Sequence, residues 1–138
     1  MEFALIVPLL CYVLFAIIAY GYMLSFRQGL SQAAAEGARD AAVAPPGRTD
    51  ALRESDALAT LNESLGSYDV TCDGTNLTRN SIDVGNCDVT IATCPESGDR
   101  CVTVTVDYNY ADHAIVPVPG LGIVLPDHLS YTSVAEVS

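Results

Sequence analysis

Met1-Glu-Phe-Ala-Leu-Ile-Val-Pro-Leu-Leu10 opens the chain, and one acid, Glu2, stands directly ahead of an uncharged apolar run over residues 3–26. A run of that length can cross a hydrocarbon core, which takes about 20 helical residues at 1.5 Å rise each. A carboxylate at mid-depth costs roughly 2.5–3.5 kcal/mol on insertion scales, so a partner must offset it or the acid must sit at the interface. Helix formers continue past the apolar run, through Arg27-Gln-Gly-Leu-Ser-Gln-Ala-Ala-Ala-Glu-Gly-Ala-Arg-Asp-Ala-Ala-Val43, until Pro45-Pro46-Gly47. The pattern predicts one helix from Glu2 to about Ala44, with Pro8 as a candidate kink.

Small residues recur along that helix at every fourth position: Gly21, Ser25, Gly29, Ala33, Gly37 and Ala41. Residues four apart share a face, and a smooth stripe lets helix backbones approach closely. Each glycine costs about 1 kcal/mol relative to Ala in a helix interior, and close packing against another helix is the expected compensation. The stripe runs beyond the membrane-length segment, so the packing partner need not be a membrane helix.

Residues 45–138 read as one small α+β domain following the long helix of residues 1–44. Thr49 or Asp50 can cap a second helix ending near Leu65, with Leu58, Leu61 and Leu65 as its apolar stripe and Gly66 as its stop. Strands are predicted over residues 68–72, 87–93 and 101–110, with a weaker one over 129–137. The clearest alternates Val102, Val104, Val106, Tyr108 and Tyr110 with Thr103, Thr105, Asp107 and Asn109, as in a sheet covered on one side by helices. Residues 114–126 are apolar but broken by three prolines and two glycines, which excludes a central strand. They either close over the sheet or offer an apolar contact to another subunit.

Cys72, Cys87, Cys94 and Cys101 lie at predicted strand ends, while Cys11 lies in the apolar helix as a small hydrophobe. Four cysteines allow three pairings; Cys72–Cys87 and Cys94–Cys101 are expected, each stapling the mouth of a hairpin and worth about 2–3 kcal/mol. Disulfides place the domain outside the cytoplasm. Arg27 and Arg39 follow the apolar run, which by the positive-inside rule argues the opposite, unless a basic leader once preceded Met1.

The net charge of −11, with six Arg and no Lys, gives an acidic surface that disfavours nucleic acid and anionic lipid as partners of the soluble part. No zinc-type pair of cysteines, phosphate-binding loop or nucleophile turn occurs, and no catalytic residue, cofactor or metal site is expected. Asp112-His113 and Asp127-His128 read as surface pairs, because neighbours on a strand face opposite ways. The Cys72-Asp-Gly-Thr-Asn76 loop, with Asp83 and Asp88, lacks the spacing of an EF-hand calcium site, and Asn62 and Asn76 begin glycosylation-type triplets.

Glu2-Phe3-Ala-Leu-Ile-Val-Pro-Leu-Leu10 and Gln32-Ala-Ala-Ala-Glu-Gly-Ala-Arg39, with the C-terminal strand, Pro-rich loop and last strand, resemble the pilin superfamily. The resemblance is closest to the TadE-like pseudopilins of Tad (Flp-type) pili. It implies a pilin-like fold and a structural subunit, a pilin or minor pilin, assembling with itself or other pilin subunits. It also implies processing by a prepilin peptidase, contact with the assembly machinery in the membrane, and an extracellular filament after assembly. Glu2, followed by the aromatic Phe3, matches the position whose carboxylate neutralises a neighbour's N-terminal amine during assembly. Processed chains of the family carry several residues before that Glu, whereas Met1 alone precedes Glu2, so the chain starts late or its processed end is unusual. The alternative is a bitopic membrane protein whose extracytoplasmic domain binds a ligand or partner. A plain anchor has no need of small residues beyond Arg27, nor of Glu2.

Overall fold

The computed structural model describes residues 2–137, except the side chains of Glu2 and Leu121. The expected roles of the Met1 terminus and the Glu2 carboxylate therefore lie outside the described residues. Helix α1 spans Glu2–Val43, 42 residues or about 63 Å, and Pro8 is accommodated inside it. It stops where the Pro45-Pro46 pair removes two N–H donors, and a turn follows in which Arg48 N–H donates to Pro45 O (3.2 Å) and Gly47 takes φ 90°. Helix α2, Asp50–Leu65, returns antiparallel against α1.

Both boundaries of α2 carry a correction of detail. Thr49 occupies the N-cap with extended backbone, but its hydroxyl makes no capping bond; only its carbonyl accepts from Leu52 and Arg53. Gly66 remains right-handed and opens a short 3₁₀ turn, Gly66–Tyr68, and the left-handed residue that turns the chain is Asp69 (φ 57°). The extra turn brings Tyr68 onto α1.

Five antiparallel strands follow in simple sequential order: β1 Val70–Cys72, β2 Asn76–Arg79, β3 Ile82–Thr93, β4 Arg100–Asn109 and β5 His128–Glu136. The long helix, the small antiparallel sheet and two disulfides make this an α+β fold. In β4 the expected inner set is buried, Val102, Val104, Val106 and Tyr108 at 0% exposure, because β4 lies between β3 and β5 beneath α1. β2 and the first half of β3 were not expected as strand. The register slips between Leu77 and Thr78, and Gly85 lets β3 close on β4: a Cβ there would lie 2.0 Å from Asp107 O.

Cys94–Cys101 staples the β3–β4 hairpin, as expected. Cys72–Cys87 is formed too, but it does not close a hairpin of neighbouring strands. It ties β1 to β3 across the start of β2, with Cα atoms 6.0 Å apart.

The core lies between the sheet and both helices. Phe26 is at its centre, fully buried, edge-on to Tyr108 (4.7 Å) and Tyr68 (5.0 Å). Leu30, Ala33, Ala34, Ala38 and Ala41 of α1 and Ala57, Leu61 and Leu65 of α2 join the same cluster.

Candidate functional site

α1 is two helices in character. Over residues 3–15 every side chain is exposed, including Phe3, Leu5, Leu9 and Leu10 at 66–81%. From Ala19 onward one face is buried at helical spacing: Ala19, Met23, Phe26, Leu30, Ala33 and Ala34. α1 is long and apolar enough to cross a membrane, and only 6% of its most apolar window is buried. A core helix of a soluble domain would bury its apolar residues rather than display them on all sides.

The small-residue stripe divides along the same line. Gly21 faces open space. From Ser25 on, the chain's own domain fills the stripe. Tyr68 lies on Gly29, where a Cβ would come within 2.7 Å of its ring, and its hydroxyl donates to Ser25 O (3.1 Å). At Gly37 a Cβ would lie 3.1 Å from Ala57 O of α2, while Ala33 and Ala41 are fully buried. From Ser25 on, the neighbour of the stripe is therefore the chain's own domain, with Tyr68 on Gly29 and α2 on Gly37. Polar pairs border the α1–α2 contact, with Thr60 donating to Asp40 and Ser64 to Glu36, both at 2.9 Å.

Arg53, which sequence reasoning did not single out, terminates α1. It is 5% exposed and donates to Ala41 O (2.7 Å), Ala42 O (3.4 Å) and Ala44 O (3.2 Å). The last carbonyls of a helix lack intrahelical donors and carry partial negative charge, so a guanidinium satisfies them in both respects. α1 has no basic residue in its own last turn, and that was the one available hint.

The segment 114–126 closes over the sheet, the first of the two uses foreseen for it. Ala114, Ile115 and Leu125 pack on the core, while Ile123 and Val124 project at 94% and 72% exposure. It also reaches far along α1: Tyr12 donates its hydroxyl to Pro119 O at 2.9 Å. Arg27 donates to the Tyr131 hydroxyl of β5, tying the sheet to α1 where the apolar run ends.

The remaining candidates have structural uses. Asp73 accepts from Thr75 and Asn76 backbone N–H groups (2.9 and 2.7 Å), which holds its carboxylate below the usual range. Asp83 accepts from Gly85 N–H, and no group of three metal-ligating side chains converges among the described residues. The Asn62 side chain exchanges two hydrogen bonds with the Cys72 backbone, so its amide nitrogen is engaged rather than free for a glycan. His128 Nδ1 sits 3.0 Å from Asp107 across the β4–β5 pair, not from the neighbouring Asp127. A depression of about 370 Å³ runs past Arg79, Val84, Asp112 and His113.

Residues 1–39 match the family model described as TadE-like protein. The matched stretch covers the freely exposed part of α1, the stripe through Gly37 and the Gln32-to-Arg39 segment. The match is confined to residues 1–39, and residues 40–138, which include α2 and the whole sheet, lie outside it. No curated protein and no solved structure matches the chain.

Proposed function

We propose that the chain is a structural subunit, a pilin or minor pilin, of a bacterial Tad or type IV-like pilus. It is held in the membrane by α1 before assembly and carried into an extracellular filament afterwards. The supporting observation is the first half of α1. A TadE-like segment there exposes large apolar side chains around its whole circumference, and only lipid or other helices can cover such a surface in water. In the membrane lipid covers it; in a filament the equivalent helices of other subunits do. Glu2 and Phe3 would carry the assembly role, with the carboxylate offset by a neighbour's terminal amine. Prepilin peptidase and the membrane-embedded assembly machinery are the partners this reading requires, and the disulfide-bonded domain is its outer surface.

The stripe beyond Arg27 does not separate a pilin from a membrane-anchored binding domain, because Tyr68 and α2 already occupy it. Helix packing between subunits falls instead to residues 3–24 and to the open face at Gly21. The discriminating experiment shears the surface of native cells and images that fraction with antibody to this chain. Filaments labelled along their length identify a major subunit, and label at filament ends a minor one. Retention of all antigen in the membrane, with no filament depending on the chain, refutes the pilin reading in favour of the anchored domain. Glu2→Ala sharpens the result: a pilin loses assembly while its membrane level is unchanged.

A further inference from the structure

The membrane-length run and the folded domain overlap along α1. Residues 3–26 make 24 residues, about 36 Å of helix, against a hydrocarbon core of about 30 Å. The slack is about 6 Å. Tyr12 is nine residues from Phe3 and fourteen from Phe26, about 13 Å and about 21 Å along the axis. Every placement of the bilayer within the apolar run therefore encloses Tyr12. The free part of the helix, residues 3–15, is only about 20 Å long and cannot span the core without the covered part. Part of the domain must then enter the bilayer with α1.

The part at that level is the loop of residues 114–126. Tyr12 donates to Pro119 O, and Gly120 packs against the same hydroxyl, where a Cβ would lie at 3.0 Å. From Ala114 to Pro126 the loop contains no side chain with a hydrogen-bonding group, and Ile123 and Val124 point away from the protein. Polar residues resume at its two bases, Asp112 and His113 on one side and Asp127 and His128 on the other. Irregular backbone is costly in hydrocarbon because each unpaired N–H or C=O is left without water. Here Pro117, Pro119 and Pro126 remove three donors, and Tyr12 satisfies the Pro119 carbonyl while burying its own hydroxyl's hydrogen-bonding need.

We propose that the loop of residues 114–126 is a membrane-entering wedge that lies against α1 in the acyl region and reaches from the domain's side to the middle of the bilayer, the level of Tyr12. Ile123 and Val124 are its lipid-facing tip. This rests on α1 spanning the membrane before assembly, and the test separates the two ideas.

The chain contains no Trp, so each introduced Trp is a unique fluorophore. Ile123→Trp, with Val124→Trp as a second loop reporter, is reconstituted as the full chain into vesicles of lipid brominated on the acyl chains. Leu10→Trp reports on free α1, and Val134→Trp on β5, an exposed site away from the loop. The expected result is emission from both loop reporters that is blue-shifted and quenched to the same degree as Leu10→Trp, with Val134→Trp unquenched. Quenching of Leu10→Trp alone overturns the wedge and leaves the membrane span standing. Quenching of neither loop nor helix removes both. A loop blue shift that appears only at high protein-to-lipid ratio, without quenching, overturns the wedge in favour of contact with a second copy.

Discussion

The two halves of α1 use opposite chemistries to meet opposite surroundings. Residues 3–15 are Leu, Ile, Val, Phe and other apolar residues exposed on all sides, whereas residues 28–42 are rich in Ala and Gly and bury a single face. Bulky side chains maximise apolar area where the helix must be covered by something other than its own chain. Small ones minimise the separation where α2 and Tyr68 must fit. One uninterrupted helix thus joins a surface awaiting a partner to a surface already filled. The lesson concerns the spacing rule: small residues four apart report a close neighbour, not whether that neighbour belongs to the same chain.

The strongest way to break the comparison is to truncate one large residue in each half. Phe26→Ala removes a ring packed against Tyr68 and Tyr108 and is expected to cost about 3–5 kcal/mol. Leu10→Ala, in the exposed half, is expected to stay within about 0.5 kcal/mol, since its side chain is 66% exposed. Chemical denaturation followed by near-ultraviolet circular dichroism of the tyrosines distinguishes the two. Equal losses would mean that the halves are not distinct.

Filling the stripe is the next test. Gly37→Leu places a side chain against Ala57 O and Leu61, where the first added carbon is already at 3.1 Å, and is expected to cost about 1–3 kcal/mol. A Cβ at Gly21 would meet nothing within 4 Å, and Gly21→Leu is expected to leave the thermal midpoint of the domain unchanged. In a filament the order reverses. Gly21→Leu should then impair assembly more than its stability predicts, as filament yield in the sheared fraction would reveal.

A smaller contrast lies within the core. The Tyr108 hydroxyl donates to His113 O at 2.8 Å, while the Tyr110 hydroxyl is buried near Ile115 without a completed hydrogen bond. Tyr108→Phe should cost about 1 kcal/mol, whereas Tyr110→Phe should be neutral or slightly stabilising, because only the first discards a hydrogen bond. Denaturant midpoints of the two variants, measured side by side, settle the order.

Legibility from sequence followed the strength of local patterning. Helix formers ending at Pro45-Pro46-Gly47 located α1 to within a residue, and strict alternation located the buried face of β4. β2 was invisible because Asn76-Leu-Thr-Arg79 offers one inward apolar side chain, Leu77, and is held by pairing on both edges rather than by propensity. The start of β3 was hidden by Gly85, whose presence reflects a close approach that only the tertiary fold creates. Arg53 carries no local signal that sets it apart from the other charges of α2. Its role depends on where α1 ends in space, which helical periodicity does not encode.

The smallest expected effect is the response to pH, and its sign follows from the groups concerned. The Asp56 carboxyl is held below its ordinary value first by its hydrogen bonds to Arg48 (2.6 and 2.7 Å), and Asp73 by the backbone N–H groups of Asn76 and Thr75. A carboxyl depressed in the folded state binds fewer protons there than in the unfolded chain. Its stabilisation is present above the unfolded value of about 4 and fades as pH falls through the lower folded value. Tyr108 and Tyr110 are raised, chiefly by burial, so their contribution is complete below about pH 10 and is lost as pH rises through the folded values. The stability profile should therefore be flat through the neutral range and fall at both ends. Asp56→Asn should flatten the acid limb alone, because the Arg48 pair is exposed and touches neither tyrosine. Tyr110→Phe should soften the alkaline limb alone. If either substitution altered both limbs, the pH response would belong to a global opening of the domain rather than to these groups.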